Sequence, residues 1–416
     1  MGGSPEETER KKIMTLQKLT ERLGIKRYPS RWEEFYDEVA KDVKENGCPL
    51  ADSSYYQKLH DEYGVLTNLL DVYKQAAEGI NADPDCLLFF ALLRRAMKDR
   101  DKIRGDLAAL DMPQGEGYCL KYAAIPSLIM CESIPKFYKD MKARNVPEDI
   151  LEDSIKNAER VTENYMKAHN GEVGFSNFDW HQLLYDGRLF RVKRLQLEFP
   201  FRFLGIYKVF ENLKGEIVAL AHNIAVHKDG VPLGSLRYED DTDSYTAIIE
   251  ETEDAYIGHP FNEYGKISRE KVTLQKSEWN VKLTAGDHVV SLHIPRGEKF
   301  DDATVQDTID YSREFLDKCY PDYGNKAFFC ASWLLDKQIE DLMGTDSNIA
   351  KFGNRFQRMQ YKSDGMAAIR FVFNVGGRKY TSENINEAPE NTRLEKLLKK
   401  HYSDGKAIYE PHGFFF

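Results

Sequence analysis

Apolar residues recur along this chain at two different spacings. Up to about residue 170 they return every three or four positions, the helical period. Trp32, Phe35, Tyr36, Val39, Ala40 and Val43 form one such stripe, and Gly47 ends it. Ser30-Arg31-Trp32-Glu33 ahead of it reads as a capping box, and so does Ser4-Pro5-Glu6-Glu7, with proline at the first helical position. Asp83-Pro84 opens a helix through LLFFALLRRAM. Asn145-Val146-Pro147-Glu148-Asp149 opens another that runs to about His169, and Gly171 and Gly174 punctuate its end. No internal repeat or low-complexity tract interrupts the series.

Beyond Gly174 the period changes. Ser176-Asn177-Phe178-Asp179 reads as the cap of a short helix carrying Trp180. RLFRVKRLQLEF then alternates, with a slip at Lys193-Arg194 that suggests a bulge. IVALAHNIAVH (217–227), YTAIIEE (245–251), KVTLQ (271–275) and HVVSLHIP (288–295) are further strands. The helix TVQDTIDYSREFLDKCY separates HVVSLHIP from the strand KAFFCASWLL (326–335), the βαβ order that makes parallel neighbours. A helical stretch from Asp336 to about Met359, a strand AAIRFVFN (367–374), a helix NTRLEKLLKKHY and a terminal strand AIYEPHGFFF complete the pattern. The expectation is a helical domain over 1–170 and an α+β domain, a mixed sheet with helices, over 171–416.

Composition narrows the function. With 416 residues, two domains are expected, and 42% hydrophobic with 30% charged residues is a globular mix. A formal net charge of -10 argues against nucleic acid as the main ligand. The six cysteines, Cys48, Cys86, Cys119, Cys131, Cys319 and Cys330, form no CxxC pair and read as scattered buried thiols. MGGSPEETERKK has no apolar core of signal-peptide length, and no apolar run reaches the roughly 20 residues of a membrane span. A cytoplasmic protein with no membrane partner is expected.

Neither a P-loop nor GxGxxG, HExxH or GxSxG motifs are present. His222, His227, His259, His288 and His293 share one β-rich stretch but match no metal spacing, so no metal is expected. His293 stands apart because it ends a strand beside a loop, where ligands gather on open sheets, and imidazole titrates near neutrality. It is a general base or a histidine bonded to backbone. Arg296, Gly297 and Lys299 then precede a helix N-terminus, a place that favours phosphate, although Asp301 and Asp302 would equally cap that helix. Ser332 would end the next parallel strand near His293 and donate a proton there, while Trp333 beside it reads as site wall or core plug. Asn348 and Arg355 could face a site or serve a cap and its flank.

These stretches resemble a bacterial family. NVPEDILEDSI, WHQLLYDGRLFRVKRLQLEF, EWNVKLTAGD, VVSLHIP, AFFCASWLLD, SNIAKFGNRF and NTRLEKLLKKHYSDG run in the order of acyltransferase-domain proteins. That family joins a helical N-acyltransferase N-terminal domain to a GNAT-like C-terminal domain, and the likeness covers about residues 145–416.

The resemblance implies that an acyl-CoA or acetyl-CoA cosubstrate enters where HVVSLHIP and KAFFCASWLL splay apart. Its phosphates would lie on RGEKFDD, held by Arg296, Gly297 and Lys299. His293 and Ser332 would be the catalytic pair, Trp333, Asn348 and Arg355 would contact substrate, and the helical domain would shape the acceptor or acyl pocket. The partners implied are a small-molecule thioester and a primary amine, with the oligomeric state open. Two departures stand out. RGEKFD does not fit the usual [RQ]xxGx[GA] phosphate loop, and the first tyrosine after Ser332 is Tyr361. They leave a rival expectation, a non-catalytic binding protein on the same fold.

Overall fold

The computed structural model describes residues 14–99, 102, 105–106, 109–110, 120–175, 178–239, 242–295, 299–324, 326–373 and 379–416. The Ser4 capping box, Cys119, the Ser176-Asn177 cap, Arg296 and Gly297 lie outside these. The chain forms two compact units. One runs up to Ala143 and resumes over Leu151–Gly187; the other comprises Arg144–Ile150 and Arg188–Phe416.

The first unit is helical: α1 (Leu16–Arg22), α2 (Tyr36–Asn46), α3 (Ser53–Tyr63), α4 (Leu70–Asn81), α5 (Pro84–Ala96), α6 (Leu120–Cys131), α7 (Ile134–Ala143), α8 (Glu148–Ile155, whose first three residues count with the second unit), α9 (Asn157–Ala168) and α10 (Phe178–Tyr185). Asp83 caps α5 as its sequence requires, accepting from the N–H groups of Asp85 and Cys86. The Ser30 stretch departs from expectation. It is a short 3-10 turn over Ser30–Glu34, and α2 begins only at Tyr36. The long helix expected from Val146 is broken at Lys156 into α8 and α9. Helices α4, α5 and α6 pack against one another. Their few buried hydroxyls are paired: Tyr73 Oη and Ser127 Oγ each meet Thr162 Oγ1, at 3.0 and 2.9 Å.

The second unit is built on a six-stranded mixed sheet in the order β1 (Leu189–Val192), β2 (Leu195–Arg202), β11 (His288–His293), β12 (Phe328–Ala331), β14 (His412–Phe415), β13 (Gln357–Met359). A second sheet orders β10 (Trp279–Leu283), β3 (Tyr207–Asn212), β4 (Ile217–Ala221), β8 (Ala255–Pro260) and β7 (Glu250–Glu251), with β9 (Val272–Gln275) on β8. β5 (Ile224–Val226) pairs with β6 (Tyr245–Ala247). Phe203, Tyr207, Val209, Val289, Phe329 and Phe414 form a core shared by strands of both large sheets. The crossover helix α11 (Asp302–Cys319) brings Phe315 against Phe190 and Phe199 of β1 and β2. The remaining helices are α12 (Lys337–Met343), α13 (Asn348–Gly353), α14 (Ala367–Val372) and α15 (Arg393–Ser403).

Four expectations for this unit are corrected. Lys193-Arg194 is a two-residue hairpin turn, not a bulge: Val192 pairs with Leu195, and Lys193 takes φ 45°. KAFFCASWLL is a strand only to Ala331, after which Trp333–Leu335 form a 3-10 turn. The helical stretch after Asp336 ends at Gly353, and Gln357–Met359 is strand β13. AAIRFVFN holds helix α14 in place of a strand. Ile369 and Phe373, four apart, are buried while Phe371 between them is 59% exposed, which is helical and not alternating burial.

Candidate active site

The site begins where two parallel strands part. β11 and β12 pair only at Val290↔Phe328 and Ser291↔Phe329. Leu292 and Cys330 would be the next pair. Each instead continues in its outer ladder, Leu292 opposite Leu197 of β2 and Cys330 opposite Gly413 of β14. Two strands held from outside and released from each other make a wedge that opens toward their C-terminal ends.

His293 is the last residue of β11, at the mouth of that wedge. It stands on one face with Ser291, opposite Gln196 and Glu198 of β2. Its Nε2 lies 3.0 Å from Glu198 Oε2. Because β2 runs between β1 and β11, Glu198 is buried, and its other oxygen lies 3.8 Å from Arg188 Nη2. A buried carboxylate on one ring nitrogen orients the imidazole, as a general base requires. Sequence reading missed Glu198. It sits out of phase with Leu195, Leu197 and Phe199, where a one-sided strand would show it to solvent.

The loop after β11 is held from the β1–β2 turn. Arg194, itself buried, donates from Nη1 to Pro295 O at 2.8 Å and from Nε to Lys299 O at 2.9 Å. Its guanidinium carbon lies 5.0 Å from the centroid of the Phe300 ring. Arg194 thus grips the loop on both sides of Arg296 and Gly297, and it too was invisible as a site residue in the sequence.

At the loop's end, Asp301 caps α11, accepting from Thr304 N and Oγ1 at 2.9 Å each. The Lys299 ammonium, 2.6 Å away, and these capping bonds hold the Asp301 carboxyl down at about 2. Asp302 in the first turn pairs with Arg355, which also bonds Gln306 Oε1. The capping role left open in the sequence is therefore realised, with Lys299 and Arg355 beside the helix N-terminus as counter-charges.

The other candidates follow β12 in the chain, Ser332 directly at its end. Ser332 is buried, its Oγ accepts from Leu334 N at 3.2 Å, and its N–H donates to Pro411 O. Trp333 packs into a core with Ile339, Ile369 and Tyr402, the plug reading. Asn348 opens α13, exposed, after the Ser347 cap. Among the described residues no group of three or more His, Cys, Asp or Glu is placed to hold a metal ion, and no helix is long and apolar enough to cross a membrane.

Comparison with known proteins bears on this arrangement. The GNAT-like C-terminal domain family matches residues 189–415, which span both strands of the wedge and α11 between them. The chain belongs to that family. Among solved structures, this GNAT-like protein is similar to a mutant acyltransferase in complex with octanoyl-CoA, at a TM-score of 0.60 and 16% identity, covering 96% of this chain and 99% of that one. An acyltransferase in complex with decanoyl-CoA and teicoplanin matches at 0.59, with the same identity and coverage. One with decanoyl-CoA alone matches at 0.58 and 18% identity, covering 97% and 99%. At these identities the likeness shows a shared fold. Among curated proteins, none matches the chain.

Proposed function

We propose that this GNAT-like protein is an N-acyltransferase, moving an acyl group from an acyl-CoA-type thioester to a primary amine. The observation that carries the reading is the wedge, with a histidine–carboxylate pair at its mouth. A gap between parallel strands exposes backbone amides to an extended amide chain such as a pantetheine arm. Solved acyltransferases of the same fold carry acyl-CoA, which supports a thioester donor.

In this mechanism His293 takes the proton of the attacking amine, directly or through water, and Glu198 stabilises the imidazolium that results. Backbone N–H groups around His293 and Ile294 face the oxyanion, a contribution of about 3 kcal/mol per donor in well-studied sites. Ser332, or a water it holds, protonates the departing thiolate and is reprotonated by the His293 imidazolium, so the amine proton ends on the thiol. Its Oγ accepts from Leu334 N and still has its own hydrogen to give. Arg296, Gly297 and Lys299 steady the phosphates on the loop that Arg194 grips. Trp333, Asn348 and Arg355 were expected at substrate; the core position of Trp333 argues against contact, and Arg355 acts through the N-terminus of α11.

A second reading has one observation in its favour. The N-terminus of α11 already carries Asp301 and Asp302, which suits a non-catalytic binding protein on this fold better than a phosphate site. Thiol release from octanoyl-CoA and acetyl-CoA with a panel of primary amines separates the two. The transferase reading expects turnover that falls at least a hundredfold in His293→Ala, with an unchanged melting temperature. Full activity in that variant removes His293 from the mechanism, and no turnover by the wild type with any donor favours the binding protein.

A further inference from the structure

The second unit has a cavity of about 310 Å³ that shares no residue with β11 or the loop after it. Three cations line it, Arg237, Lys266 and Lys406, and among the described residues none of them has a carboxylate within 4 Å. The lining also holds an acid, Asp336, but its oxygens are engaged with their own surroundings. Oδ1 accepts from Gln338 N at 3.0 Å, and Oδ2 accepts from Tyr409 N at 2.7 Å and Gln338 Nε2 at 3.1 Å. The concavity therefore stays net positive, and like charges gathered in one hollow favour an anion. Arg237 is held there at φ 72°, a costly backbone position for an arginine.

A second observation sharpens the ligand. Gln360 lines the same cavity at 4% exposure. Its Nε2 donates to Tyr264 O at 3.3 Å, which fixes which end of the amide is nitrogen. Oε1 is then left buried with no hydrogen-bond partner. An unpaired buried acceptor is rare in folded proteins and asks for a donor from outside the chain. Cations for an anion and an amide oxygen for an N–H or O–H define a small ligand with both groups.

We propose that this cavity binds a small molecule carrying a carboxylate or phosphate group beside an amine or hydroxyl. The cations take the anionic group, Gln360 Oε1 takes the donor, and the rings of Tyr238 and Tyr409, 5.8 Å apart, flank the carbon skeleton. The site is independent of acyl transfer at His293.

Calorimetric titration of the full chain with O-phospho-L-serine, L-glutamate and inorganic phosphate tests this. The expected result is saturable binding of O-phospho-L-serine or L-glutamate, weakened at least tenfold when Lys266 and Lys406 are both replaced by methionine. Both side chains lie at the surface, so the melting temperature should not move. Gln360→Leu should weaken O-phospho-L-serine roughly tenfold more than inorganic phosphate, since it removes the acceptor and leaves the cations. Equal binding by the double lysine variant, or no saturable binding of any of the three probes, overturns the proposal whether or not the protein transfers acyl groups.

Discussion

Replacing Arg194 by methionine tests whether the turn between β1 and β2 governs the loop after β11. The methionine keeps most of the apolar stem and removes the guanidinium. Lost with it are two hydrogen bonds from a charged donor, to Pro295 O and Lys299 O, and the contact with the Phe300 ring. Bonds to charged groups contribute roughly 1.5–3 kcal/mol each. Both carbonyls belong to residues with some exposure, so water replaces part of the loss and the lower figure applies. The total is about 3 kcal/mol, which at 2–4 °C per kcal/mol lowers the melting temperature by roughly 6–12 °C. Arg194→Lys keeps the charge but cannot span both carbonyls, so about half of that loss is expected. The same change should act on thioester binding, because the gripped loop carries the proposed phosphate contacts. If ordering the loop costs about 1.4 kcal/mol, KM for octanoyl-CoA rises about tenfold. The kcat should stay within about twofold, because His293 and Glu198 remain on intact strands. Thermal melts and initial-rate kinetics on the three proteins give both numbers. An Arg194→Met protein as stable as the wild type, with unchanged KM, refutes the idea that this guanidinium holds the loop.

Further tests follow from buried groups. Glu198→Gln should lower kcat at least tenfold without loss of fold, since the amide cannot stabilise a protonated His293; unchanged kcat would remove Glu198 from any catalytic role. Burial pushes the His412 imidazole down to about 4. Between about 4 and 6.5 the unfolded chain then binds more protons at this site, so its contribution to stability is present above 6.5 and lost as pH falls through 4. The stability of the wild type relative to His412→Asn should fall by about 3 kcal/mol from pH 7 to pH 4 in urea denaturation, and a pH-independent difference would contradict this. Asp336 runs the other way: burial raises its carboxyl to about 6, so its contribution is present below about 4 and lost as pH rises through 6. Asp336→Asn should reveal that opposite slope. At α14 and its C-cap, Phe373→Ala should cost about 3–5 kcal/mol and Phe371→Ser about 0.5 kcal/mol or less; equal costs would mean the segment is a strand after all.

The parts of this unit legible in the sequence were local. HVVSLHIP, the Asp301 cap and the long α11 carry their own signals of alternation, proline and capping, and their βαβ order was enough to make β11 and β12 parallel. What escaped depended on register and burial set by distant chain. Glu198 meets His293 only because β2 pairs with β11 across 95 residues, and it is buried only because β2 has neighbours on both sides. Arg194 lay in a break of alternation, and a break does not say whether the strand bulges or turns back. AAIRFVFN has strand-like composition, but its surroundings bury Ile369 and Phe373 together, and tertiary context overrode propensity. The strand expected through Trp333–Leu335 stops at Ala331 because the Ser332 hydroxyl caps the turn that follows.

The place of β14 has a consequence for how the protein is made. Residues 412–415 form an interior strand, between β12 and β13, and Gly413 lies so close to Phe356 and Leu335 that even a methyl group there would collide. The wall that holds β12 away from β11 therefore leaves the ribosome only after β12, β13 and α15 have been made. Until it arrives, β12 has an open edge able to pair with another nascent chain. A chain stalled shortly before residue 412 would carry its helical unit and His293 while still lacking the strand that keeps the wedge open.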